Sequence, residues 1–263
     1  MHSIGGLVGE AFVKRVKGMG KNKGSPIVVA LDPAFSPFRL RQSERETKRR
    51  EILEWIENLL SEVDRYVAGI KIGIPAMLSL GLDAVAELIE GWGEKFFFIC
   101  DPKMADIGYI NRVVGEILYD AGFDGIIAHA AVGARDGLLP VVKLAEERGR
   151  GVLGLCAMSH SGAGEHLNRH TDELLHIATR AGVDGFVLPA NRPDLVGAAR
   201  KGFPDKLVFS PGVGTQGAPF GSALRAGADF EIVGRSITEA GKPGEKAKGI
   251  LEACRNVAGK SDS

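Results

Sequence analysis

The residues best suited to chemistry lie in the segment Phe96-Phe-Phe-Ile-Cys-Asp-Pro-Lys-Met-Ala-Asp-Ile107. Asp101 and Lys103 stand two apart at the end of an apolar, strand-like run, so their side chains share one face. Pro102 between them has no N–H and marks the end of regular pairing. Carboxylates beside an ammonium favour its charged form. A charge pair about 4 Å apart is worth roughly 4 kcal/mol at an effective dielectric of 20. A lysine held this way is a poor Schiff-base nucleophile, which needs a neutral amine, and a good proton donor to a developing carbanion. The same carboxylates repel an anionic group placed beside them. Asp106 lies past the strand and reaches either the same mouth or a neighbouring subunit. An ordinary surface salt bridge carries the same D-x-K-x-x-D pattern, so the motif needs company.

Company comes from two further strand ends. Lys71 closes Ala-Gly-Ile-Lys-Ile-Gly, where an unpaired ammonium would be costly to bury, and the carboxylates ending the next strand are its natural partners. Asp32 closes Val-Val-Ala-Leu-Asp; a carboxylate there suits sugar hydroxyls or caps the following loop. Later, Ser210-Pro-Gly-Val-Gly-Thr-Gln-Gly217 offers a loop whose backbone N–H groups can approach an anion, and Gly234-Arg235-Ser236 supplies a guanidinium for bidentate contact. Two ordinary glycine turns would need neither Gln216 nor Arg235, so the substrate expected from these residues is a phosphorylated small molecule. His129 also ends a strand and reads as a hydrogen-bonded structural residue. His160 and His166 are six apart in a glycine-rich loop, a poor arrangement of fixed metal ligands.

The elements that must present these side chains alternate along the chain. Strand-like runs at 27–31, 68–72, 96–100, 125–129, 152–157, 185–188, 207–210 and 230–233 are each followed by helical patterning, at 44–63, 83–91, 111–121, 138–147, 171–181, 193–199, 219–226 and 245–257. Eight such units in 263 residues predict an α/β fold of the (β/α)8 TIM-barrel class. A doubly wound open sheet is the competing architecture, but no G-x-G-x-x-G follows the first strand. In a barrel the chemistry belongs at the C-terminal strand ends and the loops that follow, and Asp32, Lys71, Asp101, Lys103, Asp106, His129, Ser159, Pro211 to Gly217, Gly234 and Arg235 all fall there. Ser43 with Glu46 has capping-box spacing ahead of the first long helix. No linker divides the chain, so residues 1–263 read as one barrel domain, with residues 1–25 as an N-terminal helical extension around Leu7, Val8, Phe12, Val13 and Val16.

Composition narrows the partners. With 33 basic and 33 acidic residues, the chain carries no global field for nucleic acid or anionic membrane. Its 44% hydrophobic and 25% charged content is that of a globular protein rather than a disordered one. Cys100, Cys156 and Cys254 cannot build a disulfide framework and lack metal-site spacing, and free thiols fit the cytoplasm. No apolar run is long enough to span a bilayer.

Taken in order, Leu31-Asp32, Lys71-Ile-Gly73, Asp101-Pro-Lys-Met-Ala-Asp-Ile107, Met158-Ser-His160, Pro211-Gly-Val-Gly-Thr-Gln-Gly217 and Gly234-Arg235 resemble the orotidine 5′-phosphate decarboxylase family, over about 28–238. The resemblance implies a homodimeric barrel lyase of pyrimidine synthesis, which converts orotidine monophosphate to uridine monophosphate and carbon dioxide without metal or organic cofactor. It implies that Lys103 protonates C6, that Asp101 sits near the departing carboxylate, and that Asp106 crosses from the partner subunit with the neighbouring Ile107 at the same site. It further implies that Asp32 and Lys71 orient the ribose hydroxyls and that Ser159 reads the pyrimidine edge. Gln216 would close over phosphate and base beside Pro211, and Gly234 and Arg235 would hold the phosphate. The chain departs from the family pattern at Gly108-Tyr109-Ile110, where Ile110 cannot supply a hydroxyl, and at Ser161, which replaces the usual proline. A sister group, the magnesium-dependent 3-keto-L-gulonate 6-phosphate decarboxylases and hexulose phosphate synthases, shares the D-x-K-x-x-D strand. It carries a Glu metal ligand where Lys71 stands here, and a protonated lysine cannot bind magnesium. A barrel that binds phosphate without turnover is the alternative outside catalysis.

Overall fold

The computed structural model describes residues 9–258. The apolar runs form eight parallel strands: β1 (Ile27–Leu31), β2 (Gly69–Gly73), β3 (Phe97–Met104), β4 (Gly125–His129), β5 (Gly151–Leu155), β6 (Gly185–Val187), β7 (Leu207–Pro211) and β8 (Phe230–Val233). They pair in sequence order, and β8 closes on β1. Around them run α2 (Gln42–Val63), α3 (Ile74–Leu80), α4 (Leu82–Trp92), α5 (Gly108–Asp120), α6 (Leu139–Arg148), α7 (Thr171–Ala181), α8 (Pro193–Gly202), α9 (Ser222–Arg225), α10 (Arg235–Thr238) and α11 (Pro243–Ala258), with α1 (Gly9–Lys23) ahead of the barrel. This is the expected (β/α)8 barrel. None of the described helices is long and apolar enough to cross a membrane.

Several boundaries differ from those read in the sequence, each for a local reason. The helix expected at 219–226 shrinks to α9, because Gly221 adopts φ +82° and interrupts the run. Helix α2 starts at Gln42, and its cap is not the Ser43–Glu46 pair: the backbone N–H of Arg41 donates to Glu44 Oε2 at 2.8 Å. Strand β3 continues past Cys100 to Met104. Its pairing with β4 breaks after Cys100 and resumes where Met104 meets Ala128, so Pro102 marks a break in the ladder rather than the strand's end.

The two ends of the barrel are built differently. At the end where strands begin, Phe12 and Val16 of α1 are buried among Val28, Phe97, Phe209 and Phe230. A side-chain carbon on Gly151 would lie 2.1 Å from the Phe12 ring, so this strand start must be glycine for α1 to seat. Arg15 fastens the helix by donating to Asp124 Oδ1 at 2.7 Å and to the Gly93 carbonyl at 2.6 Å. The expected packing of Phe12, Val13 and Val16 is observed, whereas Leu7 and Val8 lie outside the described residues.

A threefold sequence repeat serves the same end. Ala121-Gly-Phe-Asp124, Ala181-Gly-Val-Asp184 and Ala226-Gly-Ala-Asp229 precede β4, β6 and β8. In each, the aspartate accepts the backbone N–H of a residue at the start of the preceding strand: Phe98 at 2.8 Å, Val152 at 2.8 Å and Val208 at 2.7 Å. These bonds satisfy donors that the ladder leaves free. Stability is thus concentrated at one face, leaving the strand C-termini free to carry charged side chains.

Candidate active site

At the opposite face a cavity of about 710 Å³ opens. It is lined by Asp32, Lys71, Asp101, Lys103, Ser159, Pro211, Gln216, Gly234 and Arg235, nine of the eleven site residues expected from sequence. Asp106 and Ile107 do not line it. Both are solvent-exposed at the start of α5, where Asp106 Oδ1 accepts the Ile107 N–H at 2.7 Å.

Parallel register explains how the charges meet. Lys71 pairs with Ala30 on one side and Ile99 on the other, and Gly73 lies beside Asp101. Side chains from neighbouring strand ends therefore converge. Lys71 Nζ lies 3.2 Å from Asp32 Oδ2 and 3.1 Å from Asp101 Oδ2. Lys103 Nζ lies 2.9 Å from the same Asp101 oxygen. The result is an alternating chain, Asp32–Lys71–Asp101–Lys103. Its two inner members are buried, each with 8% of the side chain exposed, whereas Asp32 and Lys103 face the cavity at 42% and 43%. Gly73 makes room for it, since a side-chain carbon there would lie 2.0 Å from Asp32 Oδ1.

Electrostatics hold the inner pair charged. Burial alone would lower the Lys71 pKa, but Asp101 and Asp32 outweigh it and raise it above the ordinary lysine value. Burial alone would raise the Asp101 carboxyl, but Lys71 and Lys103 hold it below the usual carboxylate range. Asp101 Oδ1 is buried and has no hydrogen-bond partner among the described residues. Lys103 adopts φ +47°, the left-handed region; among the described residues no other non-glycine does so. Such a backbone costs on the order of 1–3 kcal/mol and persists where surrounding contacts over-determine it. Here it sits at the ladder break and turns the ammonium onto Asp101.

The residues expected to grip an anion, Gln216, Gly234 and Arg235, line the same cavity. Gln216 Oε1 would lie 3.1 Å from a side-chain carbon on Gly212, and Ser159 Cβ 3.5 Å from that same point, so the amide folds inward beside Ser159. Thr215 and Ser236 share a hydroxyl hydrogen bond at 3.2 Å that links the loop after β7 to α10. Glu231, fully buried in β8, accepts the backbone N–H groups of Gly221 at 2.8 Å and Ala223 at 2.9 Å, tying the far stem of the β7 loop to the strand that carries Gly234 and Arg235.

Sequence reading passed over three contributors. Glu231 was detectable as a charge within an apolar strand. Trp55 of α2 and Glu239 after α10 line the cavity and gave no signal, because nothing in helical periodicity marks Trp55 as facing the mouth. His129 corrects an expectation: it does not line the cavity, and its buried Nδ1 has no hydrogen-bond partner among the described residues. Burial and the nearby Lys103 lower its pKa, favouring the neutral imidazole. His160 lies at the rim, and the described residues contain no group of three His, Cys, Asp or Glu side chains placed to hold a metal ion.

Comparison with known proteins agrees with this geometry. Residues 25–250 match the family model described as orotidine 5′-phosphate decarboxylase / HUMPS family. An orotidine 5′-phosphate decarboxylase of Aeropyrum pernix is 38% identical over 230 residues, covering 86% of this chain and 87% of that protein. One of Methanococcoides burtonii is 41% identical over 195 residues, covering 74% and 88%. Among solved structures, orotidine 5′-monophosphate decarboxylase from Metallosphaera sedula superposes with a TM-score of 0.71 at 33% identity, covering 89% of this chain and 99% of that one. The enzyme from Methanocaldococcus jannaschii, complexed with the inhibitor BMP, gives 0.74 at 29% identity, covering 88% and 98%. The family match takes in all eight strands and every residue of the charge chain, and this protein belongs to the orotidine 5′-phosphate decarboxylase / HUMPS family.

Proposed function

We propose that the protein decarboxylates orotidine 5′-phosphate to uridine 5′-phosphate, as a carbon–carbon lyase of pyrimidine nucleotide synthesis. The observation that carries this reading is the chain Asp32–Lys71–Asp101–Lys103 in one cavity with Gln216, Gly234 and Arg235. The phosphate sits against Gly234, Arg235 and the loop after β7. Gln216 bridges phosphate and base beside Pro211. Ser159 meets the pyrimidine edge. Asp32 and Lys71 orient the ribose hydroxyls, which leaves the C6 carboxylate beside Asp101. The C6–carboxylate bond breaks, its electron pair stays on C6 and carbon dioxide leaves. Lys103 then gives its proton to C6 and is reprotonated from water. Because the four charges brace one another before substrate arrives, little reorganisation accompanies the movement of charge.

The reading includes a homodimer. Ile107, Tyr109, Ile110, Val113 and Ile117 of the α5 region are exposed, as are Ile74 and Leu78 of α3. An apolar surface of this kind beside a site-completing residue suits a second copy of the chain. That copy would bring its Asp106 and Ile107 to the ribose. The Gly108 departure has a packing reason: a side-chain carbon there would lie 2.5 Å from the Pro140 ring and 2.7 Å from the Asp136 carbonyl. Ile110 adds apolar area to the same face instead of a hydroxyl. Three buried free thiols fit a cytoplasmic location.

The magnesium-dependent sister activity is disfavoured by Lys71, whose ammonium, paired to both Asp32 and Asp101, occupies the place of the metal ligand and repels a cation. The test is loss of orotidine 5′-phosphate absorbance with purified protein, with and without excess chelator. Equal turnover in both supports the reading; turnover abolished by chelator, or absent with this substrate, overturns it.

A further inference from the structure

The glycine-rich segment after Ser159 holds no metal cluster, yet it performs a specific task. It runs as two short 3-10 turns, Ser161–Glu165 and Leu167–His170, and the second turns Asn168 back toward the barrel. The Met158 N–H donates to Asn168 Oδ1 at 2.9 Å, and Asn168 Nδ2 donates to the Met158 carbonyl at 2.9 Å. A side-chain amide carries the same donor and acceptor as a peptide group, so Asn168 serves Met158 as a substitute neighbouring strand. The substitute is needed there. Strand β5 ends at Leu155, and its last bond toward β6 is the Cys156 N–H to Val187 carbonyl contact at 3.3 Å. From Met158 onward the ladder supplies no partner, while Ser159, the next residue, lines the cavity.

The clamp is itself anchored. Thr171 Oγ1, at the start of α7, donates to the Asn168 carbonyl at 3.0 Å. Asn191 Nδ2 donates to the Ser159 carbonyl at 3.0 Å, fixing the other side of the same short segment. Asn168 does not line the cavity. Ser161 follows two residues after Ser159, where a proline would have stiffened the chain; the amide clamp supplies that stiffness from a distance.

We propose that Asn168 is a positioning residue that fixes the pose of Ser159 and so sets affinity for the pyrimidine ring, separately from affinity for the phosphate. This rests on the reading of the cavity as a pyrimidine nucleotide site. Asn168 acts through Met158 and makes no contact of its own with the nucleotide.

The test compares two ligands by calorimetric titration: uridine 5′-phosphate, which has the ring, and ribose 5-phosphate, which lacks it. Asn168→Ala should weaken uridine 5′-phosphate by on the order of tenfold, the scale of lost hydrogen bonds, and leave ribose 5-phosphate unchanged. Asn168→Asp, which keeps the acceptor for the Met158 N–H and loses the donor, should show the same ligand-selective loss and serves if the alanine variant does not fold. Equal weakening of both ligands, or no weakening of either, in a folded variant overturns the proposal. Failure of the wild-type protein to bind uridine 5′-phosphate overturns instead the nucleotide reading, and the proposal with it.

Discussion

Lys71 and Lys103 converge on one oxygen, Asp101 Oδ2, at 3.1 and 2.9 Å. The buried ammonium holds the carboxylate in place, and the cavity-facing ammonium is aimed by it. Two cations on one anion would repel if left alone; Asp32, on the far side of Lys71, balances the set. In this arrangement Lys71 is buried between two carboxylates, whereas Lys103 is more exposed and on a left-handed backbone, which suits the proton-donor role proposed for it.

The fold's acid–base behaviour should contain a step traceable to one residue. Burial pushes the Asp184 carboxyl up to about 6, against 3.8 when unperturbed. Between those pH values the folded chain binds more protons at this position than the unfolded chain. Stability therefore falls as pH rises from about 4 to about 6, by up to about 3 kcal/mol, and is flat for this group above that. Asp101, held low, acts oppositely, with stability present above pH 3.8 and lost as pH falls further. Urea unfolding across pH 4–7 should show a smaller fall in Asp184→Asn than in the wild type, the remainder coming from Glu231, whose carboxyl burial also raises. An unchanged pH profile would remove Asp184 as its source.

Helix α1 should be integral to the barrel. Phe12→Ala deletes a buried ring from the closed end and should cost about 3–5 kcal/mol. Urea denaturation should show a lower midpoint with an unchanged slope. A shift below about 1 kcal/mol would mean that the helix merely rests on the barrel.

Asp106 allows a complementation test, because it is exposed and outside the cavity of its own chain. Lys103→Ala and Asp106→Ala should each be inactive alone. In a mixed dimer one site combines the intact Lys103 of one chain with the intact Asp106 of the other. With free exchange of equal amounts, about a quarter of wild-type activity should return. No recovery despite demonstrated subunit exchange would confine Asp106 to its own chain.

The barrel was legible because buried parallel strands are continuous apolar runs, and their order fixes which ends share a mouth. Strands 27–31, 125–129 and 230–233 were readable to the residue. Strand β3 was not: its last residues are charged or proline, and only the Met104–Ala128 pairing, a tertiary fact, extends it. Nor does lysine favour a left-handed backbone, so the turn at Lys103 has no sequence mark. The Ala-Gly-x-Asp repeat is plain in the sequence, yet its meaning depends on which strand start each aspartate meets. Asn168 is illegible for the same reason, since its partner lies ten residues back and is backbone.

The most direct test of the central claim is turnover of orotidine 5′-phosphate by Lys103→Ala beside the wild type, followed by absorbance, with circular dichroism confirming that both are folded. Loss of at least about a thousandfold in turnover, with the fold intact, is the predicted result. Activity within tenfold of wild type in the folded variant would contradict it and would return the proton to another donor.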